Sequence, residues 1–101
     1  MESGIEVITK ERKRQIEKEG YTSLNDQEYQ EGELANAAAY YALTDELIDF
    51  MDQNWGNDMH LHIWPFDLNS IKKTPKDRIR ELAKAGALIA AEIDRINNIK
   101  S

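Results

Sequence analysis

The sequence predicts an all-α domain: a bundle of about four helices, with one long aromatic-rich loop before the last helix. Three segments have the end signals and the apolar spacing of helices, and an alanine-rich segment lies between the first two. The 101 residues are enough for one domain, residues 1–101, that removes roughly 60–70% of its unfolded surface from water. The core is therefore small, and pairing with a second copy would enlarge it.

The first helix is predicted to begin at Ser3. Ser3 and Glu6 have the spacing of a capping box, in which the hydroxyl accepts from a backbone N–H and the carboxylate reaches back to the cap. Gly20 is a stop signal, and the polar residues 20–30 predict a loop. The apolar face of this helix is formed by three isoleucines: Ile5, Ile8 and Ile16.

The second helix is predicted over residues 31–43. Its centre, LANAAAYYAL, is apolar on nearly all sides, which is typical of a helix buried within a domain or between subunits. Thr44 is then predicted to cap a shorter helix over residues 45–53. The apolar side of that helix is formed by Leu47, Ile48 and Met51.

Residues 54–73 lack helical periodicity and carry several large apolar side chains: Trp55, Trp64, Pro65 and Phe66. A loop of this length and composition is expected to pack against the body of the domain. The alternation in MHLHIW also allows a short strand within it.

The last helix is predicted to be capped by Thr74, with Pro75 at its first position and Asp77 in its first turn. One stripe of residues recurs at spacings of three and four: Ile79, Leu82, Gly86, Ile89, Ile93 and Ile96. A glycine inside a helix costs about 1 kcal/mol relative to alanine, so Gly86 indicates a close crossing by another helix. The pattern also predicts a two-helix seam between subunits, and hence a homo-oligomer.

Charge is unevenly distributed along the chain. No lysine or arginine occurs between Lys18 and Lys72, although that stretch holds eleven of the nineteen carboxylates. The net charge of −6 argues against bulk nucleic acid as a partner, but it allows a small anion in a local basic pocket. The chain has no cysteine and no long apolar run, so we expect no thiolate chemistry, no membrane segment and a cytoplasmic location.

The two basic segments are the candidate binding residues. Arg12 lies on the apolar face of the first helix, where it could bind a phosphate or pair structurally with a carboxylate such as Glu33. Lys76, Arg80 and Lys84 form one stripe at the start of the last helix. That stripe is either an anion site, helped by the helix N-terminus, or a solvated face.

The aromatic loop could form the other half of a binding site, opposite the basic residues. Trp64 and its neighbours could stack a base while Asp67 accepts from its exocyclic donor, or they could simply anchor the loop. His60 and His62, with Asp58 or Asp67, are a weak metal signal, and a surface loop is the preferred interpretation. The sequence contains no glycine-rich phosphate loop and no context for a catalytic triad, so no catalytic or metal-binding residue is predicted.

Four segments carry a resemblance to known proteins: ERKRQIEKEG, GELANAAAYYA, WPFD and TPKDRIRELAKAGALIAAEIDR. In this order they resemble a family of small phage and prophage proteins without an assigned activity, which implies a phage genome as the source and a bacterial host cell as the location. The first two are also distantly similar to the all-α MazG-like NTP pyrophosphatases. That similarity implies magnesium held by Glu-x-x-Glu and Glu-x-x-Asp pairs, with Glu33 as one ligand. This chain departs from both pairs, with Gln30 before Glu33 and Lys84 after Glu81.

The preferred hypothesis is a phage-type, non-catalytic binding protein for a small anionic nucleotide-like ligand, such as a sponge for a signal of host immunity. It needs no cofactor. One alternative is a magnesium-dependent MazG-like NTP pyrophosphatase, and another is an acidic protein–protein interaction module. The predicted ligand-binding residues are Arg12, Arg14, Glu33, Trp64, Asp67, Lys76, Arg80 and Lys84.

Overall fold

A computed structural model describes residues 1–19 and 32–100 of the chain, and those residues form four α-helices and no strand. The helices are α1 (Gly4–Glu19), α2 (Glu33–Ala42), α3 (Asp45–Trp55) and α4 (Arg78–Lys100). The connection from α3 to α4 contains two short 3-10 helices, Met59–Ile63 and Leu68–Ser70. The prediction of an all-α bundle of about four helices is confirmed, and the short strand considered at MHLHIW is wrong.

Two of the predicted helix starts are confirmed by their hydrogen bonds. The backbone N–H of Ser3 donates to Glu6 Oε1 and the N–H of Glu6 donates to Ser3 Oγ, both at 3.2 Å, which is the reciprocal pattern of a capping box. Thr44 Oγ1 accepts from the N–H of Leu47 at 3.2 Å and caps α3. The predicted stop at Gly20 and the loop over 20–30 lie outside the described residues.

The start of α4 differs from the prediction. Asp77, rather than Thr74, caps this helix, because Asp77 Oδ1 accepts from the N–H of Arg80 at 3.1 Å. Thr74 and Pro75 belong to a preceding turn, closed by the N–H of Asp77 donating to the Thr74 carbonyl at 2.8 Å. A proline can occupy such a turn as well as a first helical position, so the sequence signal fits both.

α4 packs against both α1 and α2, and its inward face is made of small side chains. The buried apolar residues of α4 are Ala83, Ala85, Ala87, Leu88 and Ala91. The larger residues of the predicted stripe point outward instead: Ile79, Leu82, Ile89, Ile93 and Ile96 are 37–68% exposed. The alanines face inward, and their short side chains let the backbones of neighbouring helices come close.

The close crossing predicted at Gly86 is confirmed. A Cβ on Gly86 would lie 2.5 Å from Ile8 Cδ1 and 2.7 Å from Ile8 Cγ1, so α1 rests directly on this glycine. The other two isoleucines of the predicted apolar face of α1 are not buried, since Ile5 is 75% and Ile16 is 38% exposed. That helix instead buries three polar residues against the body: Glu11, Arg12 and Gln15.

The main hydrophobic core lies between α2, α4 and the aromatic loop. α2 buries one side only: Leu34, Ala37, Ala38, Tyr40 and Tyr41. Ala35, Asn36 and Ala39 are exposed in the single chain, so α2 is not buried on all sides within the domain, and its burial between subunits stays a prediction. The loop is packed as predicted, because buried Trp64 meets the rings of Tyr40, Tyr41 and Phe66 at centroid distances of 5.3–5.7 Å.

α3 is the most exposed helix, since none of its residues is buried. It is connected to the core through Asp52, whose carboxylate accepts from the backbone N–H of His60 at 3.2 Å and lies 2.9 Å from His60 Nδ1. The hydrogen bond from the His60 side chain lowers the pKa of Asp52. The His60 ring also stacks on Tyr40, at a centroid distance of 6.2 Å, so this histidine is part of the fold.

Arg78 connects the start of α4 to the end of α2. Its guanidinium donates to three consecutive backbone carbonyls, those of Tyr41 at 3.2 Å, Ala42 at 2.6 Å and Leu43 at 3.0 Å. The last carbonyls of a helix have no partner within the helix and carry partial negative charge, so a cation there is stabilising. None of the helices in the described part of the chain combines the length and hydropathy needed to cross a membrane.

A double-mutant cycle tests the packing at Gly86. We expect Gly86→Ala to destabilise the wild-type chain, because overpacking costs about 1–3 kcal/mol and outweighs a helix-propensity gain of about 1 kcal/mol. In an Ile8→Ala background the clash is absent, so the same substitution should stabilise by about 1 kcal/mol. Urea unfolding of the four proteins gives the coupling energy, and an additive result would contradict the crossing.

A second test concerns Arg78. We expect Arg78→Ala to lower the free energy of unfolding by about 2 kcal/mol, because hydrogen bonds to charged groups are worth about 1.5–3 kcal/mol. Arg78→Lys should recover little of this, since one ammonium cannot match the fork geometry of a guanidinium. Lys76→Ala, an exposed charge two residues earlier, is the matched control and should stay within about 0.5 kcal/mol of wild type.

Candidate functional site

A cavity of about 280 Å³ lies between α1, α2, α4 and the aromatic loop. Its charged and polar lining is Arg14, Gln15, Asp67, Ser70, Lys72 and Lys84, and its apolar lining is Leu34, Ala37, Tyr41, Trp64, Phe66 and Leu88. This volume is at the small end of the range of roughly 300–1,000 Å³ for small-molecule pockets, and the mixture of an apolar wall with a few polar groups is typical of them.

The aromatic wall of the cavity is held in a fixed orientation. Trp64 Nε1 donates to the Asp67 carbonyl at 3.0 Å and to Ser70 Oγ at 3.2 Å, which prevents rotation of the indole. The Asp67 side chain caps the second 3-10 helix by accepting from the N–H of Asn69 at 3.0 Å. The loop therefore presents its rings and one carboxylate as a preformed surface.

Arg14 supplies one cation from α1. Its Nε and Nη2 donate to the two oxygens of Glu11 at 2.9 and 2.7 Å, and its side chain is 32% exposed. A bidentate pair of this kind is short, strong and geometrically specific. Glu11 is buried, so the pair also sets the direction in which the guanidinium faces the cavity.

Lys84, on α4, supplies a second cation from the other end of the sequence. This lysine is only 7% exposed, its Nζ donates to the Lys72 carbonyl, and it lies 5.6 Å from the centre of the Tyr41 ring. A carbonyl and an aromatic face both stabilise an ammonium. Lys84 is therefore a buried cationic side chain held at the wall of the cavity.

The charge of Glu11 depends on these neighbours. Burial by itself would raise the pKa of Glu11, but the hydrogen bonds and charge of Arg14, the amide of Gln15 and the charge of Arg80 outweigh burial and lower it. The carboxylate is thus held in its ionised form. It acts as the fixed counter-charge that positions Arg14.

Gln15 is a residue of the cavity that the sequence-based prediction missed. It is only 3% exposed, and its Nε2 donates to Glu11 Oε2 at 3.3 Å. Its Oε1 is buried and accepts no hydrogen bond from any described residue. A buried acceptor without a donor costs about 1–3 kcal/mol. Its presence at the cavity wall therefore marks a position where a ligand could donate a hydrogen bond. The available signal was its position four residues after Glu11, on the same side of α1.

Four of the eight predicted ligand-binding residues line this cavity: Arg14, Trp64, Asp67 and Lys84. Arg80 lies in a neighbouring shallow groove that also contains Arg14 and Lys10. Both basic segments therefore meet in space, with Arg14 as the residue common to the two sites. Besides Gln15, sequence reasoning did not select Tyr41, Ser70 or Lys72.

The other three predicted residues do not line the cavity. Arg12 is buried, and its Nη2 donates to a carboxylate, Asp94 Oδ2, at 3.4 Å. Glu33 is half-buried in the first turn of α2, and Lys76 is exposed in the turn before α4. All three lie outside the wall formed by the loop and the two basic helices.

A magnesium site of the pyrophosphatase type is not assembled by the described residues. Within residues 1–19 and 32–100, no three histidine, aspartate or glutamate side chains are grouped so that they could share a metal ion. Glu81, the acidic residue of α4 considered for such a site, accepts from the N–H of Thr74 at 3.2 Å and from Arg78 at 3.4 Å. His60 is hydrogen-bonded to the Asp52 carboxylate, and His62 is exposed.

Comparisons of the chain with protein-family models, with curated proteins and with solved structures found no match.

The lowered pKa of Glu11 leads to a pH prediction. A carboxylate whose pKa is lower in the folded state stabilises the protein above its unfolded pKa of about 4.3, and this contribution is lost as the pH falls through the folded pKa. We expect Glu11→Gln to be less stable than wild type near neutral pH, and the difference to shrink below about pH 4. Urea unfolding at a series of pH values measures this difference in the free energy of unfolding.

Glu17→Gln, on the exposed side of the same helix, is the matched control for the Glu11 experiment. A difference between wild type and Glu11→Gln that stays constant with pH would show that the Glu11 carboxylate is not held ionised by Arg14.

Proposed function

We propose that this protein binds a small anionic ligand with an aromatic base, of the nucleotide type, in the cavity between α1, α4 and the aromatic loop. The observation that carries the proposal is the meeting of Arg14 and Lys84 with a wall of three aromatic rings around one opening. These residues are seventy positions apart in the sequence, and only the packing of α1 on α4 brings them together.

The cationic side of the cavity fits a phosphate. A guanidinium oriented by a bidentate carboxylate is preorganised for a further anion, because little side-chain freedom remains to be lost on binding. The buried ammonium of Lys84 adds positive charge in a region of reduced dielectric, where its attraction for an anion is stronger than in water. Glu11 offsets part of the charge of Arg14, and the cavity lining also includes Lys72 and the Asp67 carboxylate.

The aromatic side of the cavity fits a base. Stacking of a base on an aromatic side chain is worth about 1–3 kcal/mol and does not depend on which base is present. Trp64, whose ring is fixed by Asp67 and Ser70, is the natural stacking surface. The carboxylate of Asp67 can accept from an amino group at the edge of the base.

Gln15 adds a requirement for the ligand. Because its buried Oε1 accepts no hydrogen bond from a described residue, a ligand that places an N–H or O–H donor there would gain a full hydrogen bond. A base edge or a ribose hydroxyl supplies such a donor. The small volume of the cavity favours a ligand of mononucleotide size over larger ones.

In a phage setting, which the sequence resemblance implies, a binder of this kind would act by sequestering a nucleotide signal of the host cell. This role needs tight binding and no turnover. It also needs no metal, which accords with the cationic character of the cavity. A magnesium-dependent pyrophosphatase would need a group of carboxylates at the phosphate end instead.

The proposal is tested by titrating mononucleotides and cyclic nucleotides by calorimetry in the presence of EDTA. We expect at least one of them to bind, and Lys84→Met to weaken that binding about tenfold or more, because it removes the buried charge and keeps the apolar stem. Lys76→Met is the matched control, since Lys76 is an exposed lysine of the same basic stripe outside the cavity. The affinity of Lys76→Met for the nucleotide should equal that of the wild-type protein.

Two results would overturn the proposal. One is the absence of binding by every nucleotide in the panel, and the other is unchanged affinity in Lys84→Met. Release of pyrophosphate from nucleoside triphosphates on addition of magnesium would favour the pyrophosphatase alternative instead. Circular dichroism of each variant confirms that the helices are retained.

A further inference from the structure

Gln15 is a buried polar residue whose side chain is satisfied at one end only. It belongs to α1, is 3% exposed and lines the cavity. Its Nε2 donates to Glu11 Oε2 at 3.3 Å, whereas its buried Oε1 accepts no hydrogen bond from a described residue. The side chain therefore offers an acceptor to a molecule that occupies the cavity.

The orientation of the Gln15 amide follows from the chemistry of Glu11. Burial would raise the pKa of Glu11, but its contacts with Arg14 and Gln15 outweigh burial and lower it, so the carboxylate is ionised near neutral pH. An ionised carboxylate can only accept hydrogen bonds, so the amide nitrogen, and not the oxygen, must face it. Oε1 then points away from Glu11, which is not part of the cavity lining.

The Gln15 amide lies beside the position proposed for the phosphate. Arg14 Nη2 and Gln15 Nε2 contact the same oxygen, Glu11 Oε2, at 2.7 and 3.3 Å, so these two nitrogens are no further apart than those distances combined. Trp64 contributes to the cavity from the aromatic loop instead. In a nucleotide the sugar joins the phosphate to the base. A ligand that spans from Arg14 to Trp64 therefore places its sugar nearest to Gln15.

A neutral amide oxygen suits a sugar hydroxyl at this position. A carboxylate this close to Arg14 would repel the phosphate, whereas an amide oxygen accepts a hydrogen bond and carries no net charge. A hydroxyl can rotate to direct its proton at such an acceptor. The 2′-hydroxyl is the sugar hydroxyl that mononucleotides and 3′,5′-cyclic nucleotides share, and it is the group that lets a protein distinguish RNA from DNA.

We propose that Gln15 selects ribonucleotides over 2′-deoxyribonucleotides, with its Oε1 accepting a hydrogen bond from the 2′-hydroxyl. This inference rests on the proposed function, since it requires a nucleotide in the cavity. A deoxyribonucleotide would occupy the same space and leave a buried acceptor without a donor, which weakens its binding. Asp67 remains available for the base, so the sugar and the base are recognised by different side chains.

Calorimetry with matched ligands, in the presence of EDTA, tests this selection. The probes are the 5′-monophosphates and 3′,5′-cyclic monophosphates of adenosine, guanosine, cytidine and uridine, each with its 2′-deoxy and 2′-fluoro-2′-deoxy analogues. We expect the wild-type protein to bind the ribonucleotide about tenfold or more tightly than its 2′-deoxy analogue. The fluoro analogue should bind no better than the deoxy analogue, because fluorine resembles a hydroxyl in size but has no proton to donate.

Gln15→Met separates recognition from packing, because methionine is unbranched and of similar length but lacks the amide acceptor. We expect the affinity of this variant for the ribonucleotide to fall to its affinity for the 2′-deoxy analogue, which should stay as in wild type. A merely structural role would weaken both ligands equally and leave the ratio of their affinities unchanged. Gln53→Met, at an exposed glutamine of α3, is the matched control and should keep the wild-type ratio.

Equal affinity of the wild-type protein for ribonucleotides and their 2′-deoxy analogues would overturn this inference and leave the proposed function standing. A ribonucleotide preference that persists in Gln15→Met would do the same. Absence of binding by every probe would overturn the proposed function, and this inference with it. The comparison among ligands on the wild-type protein requires no variant, and circular dichroism shows whether Gln15→Met retains its helices.

Discussion

The close packing of α4 against α1 is the constraint on which the rest of the structure depends. Gly86 and the alanines of α4 remove the side chains that would hold the helices apart, and Ile8 occupies the space at the glycine. Helices this close bring the stems of Arg14 and Lys84 to the same cavity, although the two residues belong to opposite ends of the chain. A larger residue at position 86 would change both the core and the site.

Three ion pairs with at least one buried or half-buried partner lie along the helices. Glu11 binds Arg14, Glu92 binds Arg95 at 2.6 Å, and Glu81 lies against Arg78, each three residues from its partner along a helix. Buried pairs add little net stability, because desolvation offsets most of the attraction. Their greater effect here is geometric, since each fixes the direction of a long side chain. Arg78 shows this most clearly through its three bonds to the end of α2.

The two sides of α4 differ in character. The inward side, with Lys84 and Leu88, forms one wall of the cavity, and the outward side carries several exposed isoleucines. Apolar rows of this kind on one exposed face usually mark interaction surfaces.

Local signals in the sequence determined the helices and the caps at Ser3 and Thr44, because each depends on neighbours within a few residues. Gly86 and the aromatic residues of the loop indicated close packing, but the sequence did not show which residues they would pack against. Tertiary structure decided which face of each helix is buried. Periodicity identifies an apolar stripe without stating what covers it, so the α4 stripe proved to face outward while alanines packed inward. The same limit explains the site. Charge blocks predicted that Arg14 and Lys84 would meet, but only the packing showed that Arg12 turns to Asp94 and that Gln15 enters the cavity, since those outcomes depend on the angle between helices.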